Sequence, residues 1–312
     1  MHVRTPFVGA VLVTSLNLAG AACSSTDSAS SPANGARVGD PAGQPDASGV
    51  GDGGPGQEGA SPQDAGGSAP EGAAPGDANV GGDANKPGCK YQAHKTGLSA
   101  FQQAGGLAFH VYAPSSYDRN VAHTVVVIMH GQDSDGTGEL AALWQPIADA
   151  EQLVLIAPKG SRAATNPATY PNGANWAVAD LNHVQDLIGE IDECYDIAVK
   201  KHILWGFSEG GFYGYLLGIA AANQFSGLAM GGSNTSFARQ NGYAPASAPW
   251  KIPVSHVQGT TDQNGTAQPL QDKADFEASG HVFTLYQPVQ GHTITPAQVL
   301  MQYTDLKVSS SP

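Results

Sequence analysis

The chain has 312 residues, a formal net charge of −13 and 40 glycines, and only 13% of its residues are charged. Its length leaves room for one α/β domain with a full core. The acidic balance and the scarcity of Lys and Arg argue against nucleic-acid binding and disfavour an anionic polymer as substrate.

Three populations follow one another. Met1-His2-Val3-Arg4 is a short positive start, and Phe7 to Ala22 is apolar and uncharged. The run is too short and too rich in small residues for a membrane span, so residues 1–23 read as an export signal. It ends Leu18-Ala19-Gly20-Ala21-Ala22-Cys23. Small residues before a cysteine resemble the lipobox of bacterial lipoproteins, which predicts a lipid anchor at Cys23 as the chain's one link to a membrane. Gly20 stands where such lipoboxes prefer Leu, and Ala19-Gly20-Ala21 also fits an ordinary cleavage site that would release the protein. Either way the expected location is exported: cell-surface or outer-membrane lipoprotein, or secreted.

Residues 24–88 are Gly, Ala, Ser, Pro and Asp with no aromatic. Such a segment cannot bury enough apolar surface to offset its ordering entropy, so it reads as a disordered tether. Its nine acidic residues, opposed only by Arg37 and Lys86, carry about half of the chain's net charge. The acidity therefore says little about the substrate.

Residues 89–312 are expected to form the catalytic domain. Cys89 opens it and Cys194 lies further in; an even pair in an exported protein suggests a disulfide, against the alternative of two free thiols. No C-x-x-C or H-E-x-x-H spacing is present, so neither a metal nor another cofactor is expected.

In chain order, Leu107 to Ala113 alternates as a strand. Thr124 to Met129 is a continuous β-branched run, the mark of a strand buried on both faces. It ends at His130-Gly131-Gln132. Leu140, Leu143, Trp144 and Ile147 recur at helical spacing over 139–151, and Leu153 to Ala157 is the next strand. Arg162 to Asn175 reads as a long loop. Helical spacing returns from Asp180 to Cys194, then an apolar strand at 202–207 leads into Ser208 and a second helix carrying Phe212, Leu216 and Ile219. Further strands are expected at 228–230, 253–257 and 281–286, with helices around Leu270 and Phe276 and over 296–303. Alternating strands and helices predict a mostly parallel central sheet with helices on both faces and active residues at the C-terminal strand ends.

Three strand ends carry matching chemistry. Gly206, Ser208 and Gly210 fit G-x-S-x-G, a turn in which side chains at the two glycines would crowd backbones passing close by. Asp262 follows the strand at 253–257, and His292 follows the last strand. A serine becomes a nucleophile only when a neutral imidazole takes its proton, and a carboxylate must hold that imidazole in the useful tautomer. The order Ser208, Asp262, His292 is the α/β-hydrolase order. His292 is the histidine at a glycine-flanked strand end beyond the acid. The rival acids Asp272 and Asp275 read as a solvated helix face. The backbone N–H groups of Gln132 and Glu209 are placed to receive an oxyanion. His130, Trp176 and Phe207 are candidate substrate contacts, each with the competing reading of a core residue.

Val125–Gly131, Trp144–Asp149, Leu155–Pro158, Trp205–Gly211, Gln258–Asp262 and Gln290–His292 together resemble the polyhydroxybutyrate depolymerase and feruloyl esterase group of α/β-hydrolases. Cys194-Tyr195-Asp196 is similar too, and the resemblance implies pairing of Cys194 with Cys89. It also implies hydrolysis of carboxylic esters through an acyl-enzyme, with a polyhydroxybutyrate-type polyester or a feruloyl or acetyl ester of plant-wall polysaccharide as substrate, and the chain is expected to act as a monomer. The chain departs from the group at Asp133 and Asp135, beyond the oxyanion residue, and at Glu209, where Asn, Met or Gln is common. Two further readings therefore stand beside it: a non-catalytic surface binding module on an inactive hydrolase scaffold, and a peptidase of the same fold.

Overall fold

The structure, a computed structural model, describes residues 88–309. The export signal, Cys23 and nearly all of the tether lie outside the described residues.

Eight strands form one sheet in the order β1-β2-β4-β3-β7-β8-β9-β10. They are β1 (Gly97–Gln102), β2 (Ala108–Ala113), β3 (His123–Met129), β4 (Val154–Pro158), β7 (Ile197–Phe207), β8 (Gly227–Gly231), β9 (Val254–Val257) and β10 (Phe283–Tyr286). β2 runs antiparallel to both its neighbours, and the pairings from β4 through β10 are parallel. Two further strands, β5 (Arg162–Ala163) and β6 (Ala174–Asn175), form a separate short antiparallel ladder. The segment expected to be a plain loop therefore closes on itself, and its ends are pinned together. β1 is also absent from the sequence reading. It alternates exposed and buried residues at the sheet edge, so it lacks the apolar run that marks the central strands.

The helical run after β3 comprises α1 (Thr137–Glu139), a π-turn (Leu140–Trp144) and α2 (Gln145–Glu151). The widened turn falls directly before Pro146, which has no N–H to give to a regular helix. Then come α3 (Asp180–Asp192), α4 (Glu209–Ala220), α5 (Ser236–Gln240), α6 (Ala267–Ala278) and α7 (Pro296–Ser309). α3 ends two residues earlier than its periodicity predicts, and α7 runs six residues further.

The period-two geometry of the strands explains the two cores. Val125, Val127 and Met129 of β3 point to a layer containing Val184, Leu187 and Ile188 of α3 and Leu216 of α4. Val126 and Ile128 point to the opposite layer, with Leu140, Trp144 and Ile147 on one helical run and Val299 and Tyr303 on α7. α4 is buried on nearly every side. It can lie that close because Gly214 and Gly218 face β8: a Cβ at Gly214 would stand 2.7 Å from Met230 Sδ, and one at Gly218 2.6 Å from Leu228. A parallel sheet with helices on both faces, with one reversed strand near its edge, is the α/β-hydrolase fold.

Cys89 and Cys194 are disulfide-bonded. The bond ties the segment before β1 to the turn after α3, where the His94 N–H also donates to the Cys194 carbonyl at 3.0 Å.

Candidate active site

β7 ends at Phe207 and α4 begins at Glu209, so the chain reverses at a single residue. Ser208 takes φ 57°, ψ −127°, a conformation that non-glycine residues rarely adopt. Three backbone bonds hold it there. Its N–H donates to the Gly231 carbonyl at 3.0 Å, and its carbonyl accepts from Gly211 (2.9 Å) and Phe212 (3.1 Å). The flanking glycines are steric necessities. A Cβ at Gly206 would sit 2.2 Å from the Gly210 carbonyl oxygen, and one at Gly210 would sit 2.0 Å from that of Met129.

Ser208 Oγ lies 2.8 Å from His292 Nε2, and His292 Nδ1 lies 2.9 Å from Asp262 Oδ2 and 3.1 Å from Oδ1. A proton on Nδ1 donated to the carboxylate leaves Nε2 free to accept from the hydroxyl. The Asp262 side chain is 1% exposed and that of His292 23%, so the carboxylate is sheltered while the imidazole opens to the cleft. The two loops that carry them meet backbone to backbone at Gly259, where a Cβ would stand 2.3 Å from the Gln290 carbonyl oxygen. The Thr261 N–H donates to that carbonyl at 3.1 Å. Asp262 is aimed by Asn264, whose N–H donates to Oδ1 at 2.8 Å and whose side-chain amide donates to the Gly232 carbonyl at 2.9 Å. Gly232 has φ 56° and no room for a side chain, since a Cβ would fall 2.7 Å from the Phe207 ring and 2.9 Å from His292. The Phe207 ring packs on His292 at 4.8 Å between centroids, so its contact is with the imidazole.

The Gln132 and Glu209 amides have no protein acceptor among the described residues. Gln132, from the loop after β3, and Glu209, the first residue of α4, line the same cleft as Ser208. His130 is not a substrate contact. It is fully buried, with Nε2 accepting from the Gly160 N–H at 3.0 Å and Nδ1 facing the Gly131 carbonyl at 2.8 Å. Burial lowers its pKa, which keeps the ring neutral for those two bonds. Trp176 presents no open ring face, although it lines a side pocket next to the cleft. It is 2% exposed, stacked between His130 (4.6 Å) and Tyr213 (4.8 Å), and its indole N–H donates to the His130 carbonyl at 2.9 Å. Both residues support the loop of Gln132 from beneath.

The acidic departures have partners. Asp133, at φ 60°, turns its carboxylate to the Thr165 N–H (2.6 Å), the Thr165 hydroxyl (2.9 Å) and the Asn175 amide (3.1 Å), and those donors lower its pKa. Glu209 Oε1 pairs with Arg162 Nη2 at 3.0 Å. Burial raises the Glu209 pKa, Arg162 and the nearby Trp176 amide pull it down, and Asp133 pushes it up slightly. The other oxygen, Oε2, is buried without a well-aligned donor, although the Trp176 amide is close enough to favour the charged form.

Ser208, His292, Gln132, Asn264, Arg162 and Glu209 line an open cleft of about 460 Å³. Beyond the Arg162–Glu209 pair lies a second pocket of about 340 Å³, walled by Trp176, Phe212, Tyr213 and Phe237 with Ser236 and Gln240 at its polar end. Arg162, Asn264 and Phe237 have no part in the sequence reading of the site. Arg162 and Asn264 both follow ends of central strands, the same signal that marks Ser208. Phe237 sits on α5, which is too short to show a period. Among the described residues no group of His, Cys, Asp and Glu is arranged to hold a metal ion.

Comparison with known proteins agrees with this geometry. The Esterase family model matches residues 105–294, more than half of the chain and a span that includes Ser208, Asp262 and His292. A bifunctional acetylxylan esterase/xylanase of Neocallimastix patriciarum is 28% identical over 162 residues, 52% of this chain but only 22% of that protein. The chain therefore spans about a fifth of this curated relative. Among solved structures, esterase PE8 superposes with a TM-score of 0.55 at 18% identity, covering 65% of this chain and 99% of that one. A ferulic acid esterase of Anaeromyces mucronatus, in complex with ferulic acid, gives 0.52 at 12% identity over 68% and 89%. At such identities the superpositions speak to the fold, and the family match speaks to kinship: the chain belongs to the Esterase family of α/β-hydrolases.

Proposed function

We propose that this chain is an exported serine esterase acting through an acyl-enzyme. The reading rests on one observation: the unbroken relay of 2.8 Å from Ser208 to His292 and 2.9 Å from His292 to Asp262. Ser208 Oγ attacks the ester carbonyl carbon and its proton passes to His292 Nε2, while Asp262 stabilises the imidazolium. The carbonyl oxygen becomes an alkoxide facing the Gln132 and Glu209 amides. Fixed backbone donors of this kind need no reorganisation as charge develops, and one is worth about 2.7–4 kcal/mol of transition-state stabilisation. Collapse breaks the bond to the alcohol, which leaves with the proton from His292. Water, deprotonated by His292, then attacks the acyl-enzyme; the acid is released and Ser208 regains its proton.

The cleft is open enough for an ester of a polymer, either a polyhydroxybutyrate-type polyester or a feruloyl or acetyl ester of plant-wall polysaccharide. The aromatic side pocket favours the feruloyl class, because a flat phenolic ring would match its walls. The acetylxylan esterase relative supports esters of plant-wall polysaccharide more broadly. Residues 1–23 would direct export, with Cys23 as the lipid-bearing residue, and 24–88 would hold the catalytic domain off the membrane. The Cys89–Cys194 bond supports an oxidising destination.

The test is Ser208→Ala against a panel of p-nitrophenyl acetate, feruloyl, acetyl-xylan and hydroxybutyrate esters, with fluorophosphonate labelling in parallel. The variant is expected to fold normally, to lose at least about 1,000-fold in kcat and to resist labelling. Undiminished hydrolysis by the variant, or a wild-type protein that neither hydrolyses the panel nor takes the label, would overturn the reading. The second outcome would favour the non-catalytic binding module that the acidic residues beside the hole first raise.

A further inference from the structure

Glu209 carries an internal conflict. Its backbone N–H is one of the two amides proposed to receive the oxyanion, and its side chain ends in a carboxylate. A negative charge on that residue opposes the negative charge its own amide is meant to stabilise. The first turn of a helix favours an anion, so α4 itself helps to keep the group ionised. The strain on the site is relieved from outside the elbow. Arg162 reaches across the cleft from β5 and brings Nη2 to 3.0 Å from Glu209 Oε1.

The strand that presents Arg162 is also tied to the loop that carries the other amide. Arg162 is paired in register with Asn175 in the β5–β6 ladder. Asn175 Oδ1 accepts the Asp133 N–H at 2.9 Å, and its amide nitrogen donates to the Asp133 carboxylate and to the Ala163 carbonyl. The Asp133 carboxylate, one residue beyond Gln132, is thereby turned to Thr165 and Asn175. One four-residue ladder thus supplies the counter-charge for Glu209 and orients the acidic loop beside Gln132.

We infer that Arg162 is a positioning residue for catalysis: it neutralises the Glu209 carboxylate and draws it away from the oxyanion hole, which lets a glutamate occupy the place after the nucleophile. The inference rests on the serine-esterase reading above. It goes beyond it in assigning Arg162 a rate effect that depends on the charge of Glu209. Arg162 is 63% exposed and adds little to the core, so its loss should leave the fold intact.

The experiment is a double-mutant cycle on the full chain with p-nitrophenyl acetate, a substrate small enough to leave the side pocket empty. Arg162→Gln is expected to lower kcat about tenfold with KM little changed, less than the loss of a whole hole donor because the cleft is open to screening. Arg162→Lys should keep most of kcat. High salt should narrow the Arg162→Gln deficit. The double variant Arg162→Gln/Glu209→Gln should regain most of the lost kcat, because the charge that Arg162 opposes is gone. A double variant as slow as Arg162→Gln alone, or an Arg162→Gln enzyme with wild-type kcat, would overturn the assignment while leaving the esterase reading in place. A Ser208→Ala variant as active as wild type, or a wild type with neither hydrolysis nor fluorophosphonate labelling, would overturn the underlying reading and the assignment with it.

Discussion

At the residue scale, the site depends as much on what is missing from side chains as on what is present. Gly206 and Gly210 permit two backbones to pass at distances no Cβ tolerates, and Ser208 is held at a positive φ that its neighbours impose. A buried histidine in β9, the strand that leads to Asp262, shows the same determinism in its titration. His256 is fully buried in β9, 2.8 Å from the Tyr215 hydroxyl and 3.3 Å from Gln258, and burial pushes its pKa down from 6.5 to about 4. Because the folded value lies below the unfolded one, the neutral ring's contribution is fully present above about pH 6.5 and is lost as pH falls toward 4. Acidification from pH 7 to 4 should therefore cost about 3 kcal/mol through this group alone. Thermal unfolding across that range is the measurement, and His256→Gln should flatten the acid limb. An unchanged limb in the variant would assign the acid sensitivity elsewhere.

At the element scale, the short helix α5 carries Ser236 and Phe237 into the side pocket, yet it has no length to stabilise itself. It is held by Asp272 of α6, which the pattern of charges alone places on a solvated face together with Asp275. The structure buries Asp272 completely instead. Its carboxylate accepts from the Thr235 N–H (2.8 Å), the Thr235 hydroxyl (2.5 Å) and Gln268 (2.9 Å), with Arg239 Nη2 at 3.6 Å. Asp275 remains at the surface and pairs with Arg239. Helical periodicity could not separate the two acids, because the partner of Asp272 comes from a loop 37 residues away. Asp272→Ala strands a buried N–H and a hydroxyl and should cost about 3 kcal/mol, seen as a lower midpoint in urea. It should also reduce hydrolysis of feruloyl esters more than that of acetyl esters, because the wall that moves belongs to the side pocket. Equal losses on both substrates would separate that pocket from acyl recognition.

At the scale of the whole molecule, one covalent link spans the domain. Cys89 and Cys194 are 105 residues apart, and closing a loop of that length removes enough unfolded-state freedom to stabilise the domain by about 5 kcal/mol. Reduction, or Cys89→Ser with Cys194→Ser, should lower the unfolding free energy by about that amount; esterase activity should survive at low temperature, because the bond lies far from the strand ends that carry the site. A stability unchanged by reduction would mean that the segment before β1 is held by its noncovalent contacts alone.

Much of this architecture was already written in local pattern. Continuous apolar runs marked β3, β4 and the end of β7, periodicity marked α3 and α4, and the spacing Gly206-Phe207-Ser208-Glu209-Gly210 marked a turn that only small residues allow. Those features depend on neighbours close in the chain, so the amino-acid sequence by itself determined the α/β order and which residues stand at strand ends. The tertiary structure alone decided which of those residues meet. It turned His130 inward as a support, covered both faces of the Trp176 ring while leaving it at the side pocket, closed 162–175 into the β5–β6 ladder, buried Asp272 and set Arg162 against Glu209. Each of these is a contact between segments brought together by the sheet order, and burial, pairing and pKa are properties of such contacts, which no local period encodes.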